Sequence, residues 1–159
     1  MKKGYYEIFR VMLLVLIFST VLHAFIQSAL PKEASAAESD KVGEIIGEII
    51  PPDTPPGEYI QKNIRKMAHF TEFMVLGLFS SLYSLFYMKK KNALSFTLPF
   101  GAAIALFDET IQIFSKRGPS VNDVWIDIFG YFSSFFAVFA VYFVIFLIRR
   151  RLSRQKDKG

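Results

Sequence analysis

The sequence predicts an all-α integral membrane protein: a bundle of four transmembrane helices, both termini cytoplasmic, with an amphipathic segment in the first extracytoplasmic loop. Three observations predict it. Hydrophobic residues make up 52% of the chain and 18 residues are Phe, more apolar than the roughly 45–50% of an ordinary soluble domain. Apolar runs at residues 8–30, 67–88, 93–114 and 121–148 approach the roughly 20 residues that a helix needs to cross hydrocarbon. Lys and Arg gather at the ends of these runs, and their bias sets an orientation.

The first run follows MKK and ends before Pro31-Lys32-Glu33. With Ala34-Ser35-Ala36 behind it, it resembles a secretory signal with a small-residue cleavage site. It is longer than the usual apolar stretch of such a signal, so residues 1–30 read as a transmembrane helix with the character of a signal anchor. Cleaved or not, residue 38 onward emerges outside.

Residues 31–62 form an acidic, Pro-rich extracytoplasmic loop. Within it Val42, Ile45, Ile46, Ile49 and Ile50 recur at helical spacing, with Asp40, Glu44 and Glu48 elsewhere on the wheel. This predicts a short amphipathic helix, lying on the outer membrane surface or packed as a cap on the bundle. PPDTPPG at 51–57 reads as its stop, because Pro removes a donor and disfavours helix in the residue before it. Residues 63–148 then form a three-helix core, and residues 149–159 a basic cytoplasmic tail.

With both termini inside, twelve of the nineteen Lys and Arg fall on the cytoplasmic side and seven outside. The net charge of +5 does not point to nucleic acid, because the cations cap apolar runs instead of lining one face. The absence of Cys excludes disulfides and thiolate metal sites.

One stretch contradicts the greasy character of its surroundings. FDETIQIFSKRGPSVNDVWID at 107–127 sets four carboxylates and two cations between apolar runs. In the predicted topology Arg65, Lys66, His69 and Glu72 lie in the first turns of the second span. Asp108, Glu109 and Gln112 lie in the last turns of the third, and Asp123 and Asp127 in the first turns of the fourth. At 1.5 Å per residue, Glu72, Asp108 and Asp127 each sit roughly 9 Å below the outer end. Three helices therefore bring polar residues to one depth. Small residues continue the same faces inward: Gly77, Ser80, Ser81 and Ser84; Gly101, Ala102 and Ala105; Gly130 and Ser134. Such residues let membrane helices approach closely.

Each group has a plain structural reading. His69 can pair with Glu72, Lys62, Arg65 and Lys66 can anchor a helix at the headgroups, and Asp123 suits a helix N-terminus. Ionisable groups at this depth are nonetheless expensive, and their convergence marks a candidate site. We expect His69, Glu72, Asp108, Glu109, Gln112, Arg117, Asp123 and Asp127 to line one outward-opening cavity. Glu109 is expected to matter more than Asp108, which is expected to pair with Lys116 or Arg117. His23 and Trp125 read as packing or interface residues.

Lys66-x-x-His69-Phe70-x-Glu72-Phe73, Asp108-Glu109-x-x-Gln112-x-Phe114 and Arg117-x-x-Ser120-x-x-Asp123-Val124-x-x-Asp127-x-x-Gly130 together resemble the VanZ-like family. The resemblance covers roughly residues 60 to 148, with all three blocks in order. Phe73 stands where Tyr is frequent, Ser115-Lys116 where Pro-Gly is common, and Asp127 where relatives carry Asn or Asp. The family takes its name from a membrane protein associated with low-level teicoplanin resistance. The resemblance implies a multi-pass protein of the bacterial cytoplasmic membrane that lowers glycopeptide susceptibility.

The residues leave two kinds of chemistry open. In the first, the chain binds or modifies an anionic envelope lipid or polymer at the outer leaflet. Arg65, Lys66, Asp108, Gln112, Lys116, Arg117 and Ser120 are the candidate binding residues, since cations at helix N-termini favour phosphate. In the second, the chain hydrolyses a lipid-linked phosphate. His69, Glu72, Glu109, Asp123 and Asp127 are then the candidate acid–base residues. No cofactor is required by the pattern, although this donor set leaves a hard divalent metal as an option. Membrane lipids are the expected surroundings, and nucleic acid is not an expected partner. No serine motif, phosphate-cradling glycine loop or helix discontinuity points to other chemistry.

Overall fold

The computed structural model describes all residues except 1, 88–89, 116–117, 119 and 157–159. Five helices follow one another: α1 Lys2–Ala29, α2 Lys32–Gly47, α3 Pro55–Tyr87, α4 Lys90–Phe114 and α5 Val121–Lys156. Among the described residues there is no strand. Among the described residues, three stretches are long and apolar enough to cross a membrane: Gly4–Ala29, Pro55–Tyr87 and Val121–Gln155.

α2 starts ten residues before the isoleucine pattern that predicts it, at Lys32. Its sequence KEASAAESDKVGEIIG is rich in Ala, Glu and Lys, which cost a helix little. Ile49 and Ile50 lie beyond its end, in a turn. The helix lies against α3, where Gln61 Nε2 donates to the Gly43 carbonyl at 2.8 Å. A Cβ at Gly43 would displace the flexible end of the Gln61 side chain, which makes this contact.

The Pro-rich connection does more than stop a helix. Pro55 and Pro56 are the first two residues of α3, where no backbone N–H is needed and φ is already suited to a helix. Thr54 caps them: its Oγ1 accepts from the Gly57 N–H at 3.3 Å. Residues 55–62, read from sequence as loop, are therefore the opening turns of α3. At its other end the chain likewise stays helical through residues 149–156, read as tail.

Contact pairs fix the directions. Tyr87 Oη donates to the Tyr6 carbonyl at 2.8 Å while His23 meets Glu72, so α1 runs antiparallel to α3. Ser84 bonds Thr97 and Arg65 meets Gln112, so α3 runs antiparallel to α4. α3 and α5 consequently run the same way, and they form the tightest seam. Gly77 sits against the Tyr131 carbonyl and Gly130 against the Phe70 carbonyl, each where a Cβ has no room. Close backbone approach is how small residues associate membrane helices. Phe73, Leu76, Ala105 and Tyr131 form the buried core beside this seam. The Tyr131 ring fills the space left by Gly101, and its hydroxyl donates to the Thr97 carbonyl at 2.9 Å. Phe129, Phe136, Val141 and Phe143 of α5 are exposed on the outside of this packing, as lipid-facing residues would be.

Candidate functional site

The seam that closes α3 on α5 brings His69 and Asp127 together, and α4 completes the cluster. His69 Nδ1 lies 3.8 Å from Asp127 Oδ1 and 4.0 Å from Asp108 Oδ2. Both carboxylates are fully buried, and His69 is 8% exposed. Asp108 Oδ2 accepts from Ser28 Oγ of α1 at 2.7 Å and from Gln112 Nε2 at 3.2 Å. Gln112 also donates to Glu109 Oε1 at 3.1 Å and accepts from Arg65 Nη2 at 3.0 Å. Glu109 Oε2 accepts the Ser120 backbone N–H at 2.9 Å. Gln112 thus joins a cation of α3 to two acids of α4, and Glu109 ties α4 to the start of α5.

Beside this cluster a cavity of about 760 Å³ opens between α1, α2 and α3. Leu16, Val42, Ile46, Ile60, Ile64 and Val75 give it apolar walls. Its polar lining includes His23, Arg65, His69 and Glu72. His23 Nε2 lies 3.7 Å from Glu72 Oε1 on the cavity wall, within ion-pair reach but beyond hydrogen-bond length. Arg65 Nε is buried and donates to no partner among the described residues.

These positions correct the single-cavity expectation. Arg65, His69 and Glu72 line the cavity, whereas Asp108, Glu109, Gln112 and Asp127 are buried behind it, and His69 and Arg65 connect the two. Asp123, one turn before Asp127, is half-buried. Lys66 is exposed and lies outside the cavity lining, and Lys62 pairs with Glu58 at 2.7 Å. Ser120 contributes its backbone and no side-chain contact to Glu109. Lys116 and Arg117, with the expected pairing of Asp108 to either, lie outside the described residues. Asp108 is the more buried of the two adjacent acids. The reason is its angle on α4: it faces α1 and α3 together, while Glu109 faces the connection to α5.

α1 supplies what sequence reasoning missed. His23 reads there as a packing residue, and Gln27 and Ser28 pass unnoticed, yet His23 and Gln27 line the cavity and Ser28 bonds Asp108. Thr20, His23 and Gln27 at i, i+3 and i+7 were the available signal of a polar face.

A family model described as VanZ/LLP1 matches residues 8–146. The chain belongs to the VanZ/LLP1 family. The match takes in α1 and α2 as well as the three blocks of motif residues, so the cavity and the buried cluster both fall inside the VanZ/LLP1 region. No curated protein and no solved structure gives a significant match to this VanZ/LLP1 chain.

Proposed function

We propose that this VanZ-like protein spans the bacterial cytoplasmic membrane four times, with both termini cytoplasmic. It binds or modifies an anionic envelope amphiphile at the outer leaflet, and so lowers susceptibility to teicoplanin-type glycopeptides. Arg65 carries the reading. Its buried Nε–H has no hydrogen-bond partner among the described residues, and it lines a cavity that also has apolar walls. Buried donors without acceptors are costly, and a phosphate headgroup supplies acceptors while its chains suit the apolar walls. Lys62, Arg65, Lys66, Lys116 and Arg117 run against the positive-inside trend, which supports the same partner.

Expression in a glycopeptide-sensitive host tests it. Wild type is compared with Arg65→Ala, Arg117→Ala and Glu109→Gln at matched membrane abundance. Protection by wild type and its loss in Arg65→Ala is the expected result. Equal protection by wild type and Arg65→Ala would remove the cavity from the mechanism, and no protection by wild type would remove the resistance role.

A second reading, hydrolysis of a lipid-linked phosphate, is favoured by the His23–Glu72 pair at 3.7 Å. Incubating purified protein with labelled outer-leaflet lipids and lipid-linked wall precursors separates the two. Product formation that Glu72→Gln abolishes means hydrolysis, and saturable binding without product means a binder.

A further inference from the structure

We propose that His69, Asp108 and Asp127 form a divalent-cation site, one ligand from each of α3, α4 and α5. One donor atom from each of these residues lies within 4.8 Å of the other two. His69 Nδ1 is 3.8 and 4.0 Å from the two carboxylates, beyond hydrogen-bond length. A triangle with edges in this range has its centre about 2.5 Å from each corner, near the roughly 2.0–2.6 Å of imidazole and carboxylate ligands to divalent ions.

A second observation points to the same centre. Asp127 is fully buried, and neither of its oxygens accepts a hydrogen bond among the described residues. Buried carboxylates are normally hydrogen-bonded, paired or metal-bound. A divalent ion between Asp108 and Asp127 cancels both charges. Ser28 and Gln112, both donating to Asp108 Oδ2, hold that ligand in place from outside, as supporting hydrogen bonds do in metal sites.

One imidazole with two carboxylates suits Zn²⁺ or Mn²⁺. Three protein ligands leave coordination positions open. His69 also lines the cavity, so an ion reaches the site from that side. A phosphate oxygen of a bound amphiphile could take an open position. That last step rests on the amphiphile reading, but the metal site does not.

The test uses the full chain, purified in detergent, stripped with chelator and titrated with Mn²⁺ and with Zn²⁺. One ion per chain is expected for wild type. Affinity should fall by roughly 100-fold or more in Asp127→Asn and in His69→Gln, since even supporting residues are worth about 10–100-fold. Thr110→Ala, exposed on α4, should bind as wild type does. Pulsed electron paramagnetic resonance of the Mn²⁺ form reads the site without any variant, and imidazole nitrogen coupling is expected. Substoichiometric binding of both ions by wild type would overturn the proposal. So would undiminished binding in folded Asp127→Asn, or bound Mn²⁺ without nitrogen coupling. Metal is measured here without lipid and amphiphile binding without metal, so failure of either leaves the other standing.

Discussion

Asp127 sits where a carboxylate is hardest to keep: fully buried, with neither oxygen hydrogen-bonded among the described residues. An Asn of the same shape would lose the charge and gain an N–H₂ facing carboxylate acceptors. In chelator, Asp127→Asn is therefore expected to raise thermal stability by about 0.5–2 kcal/mol, the usual return on relaxing a functional position. Circular dichroism melts in detergent would read this, and a lower midpoint would show that the carboxylate makes a structural contact instead. The spacing of Asp123 and Asp127, and their level with Asp108 and His69, could be read from periodicity. Their separation from the cavity could not, because it depends on which side of α4 meets α3. Thr20, His23 and Gln27 mark a polar face on α1, but neither that face nor Ser28 names its partner until another helix is placed beside it.

The elements turn on glycines and prolines. Gly77 and Gly130 face carbonyls of the opposite helix in the α3–α5 seam. Gly130→Leu should force these helices apart and cost about 1–3 kcal/mol, the scale of overpacking. Gly4→Ala, which meets nothing within 4 Å, should leave the melt unchanged. If Gly130→Leu melted as wild type does, the seam would not be as close as described. Gly43 meets the flexible end of the Gln61 side chain instead of backbone, so Gly43→Leu should break the Gln61 contact and loosen α2 while the rest stays packed. Faster protease cleavage within residues 32–47 at an unchanged melting midpoint is the expected sign. The small-residue stripes pointed to close packing, but they did not say which stripe meets which. The prolines at 51–56 were ambiguous in principle, since Pro ends one helix and begins another equally well.

For the whole molecule, orientation is the open variable that charge alone addresses. A single Cys replacing Gly118, in a chain with no native Cys, should react with an impermeant maleimide on intact cells. Reaction only after permeabilisation would invert the arrangement and place the cavity on the cytoplasmic side. The all-helical class was legible because composition and run length suffice for it. The order of neighbours was not, because α1 contacts both α3 and α4 through residues of no distinctive type.

Trp125 is the only tryptophan. It is 54% exposed, two residues from Asp127 and 6.1 Å from the ring of Phe129. The molecule therefore carries its own depth gauge. In vesicles whose acyl chains bear bromine at graded positions, the lipid that quenches its emission most strongly gives the immersion of the acidic cluster, with no label attached. A change in that emission on adding Mn²⁺ would report ion arrival from less than one helical turn away.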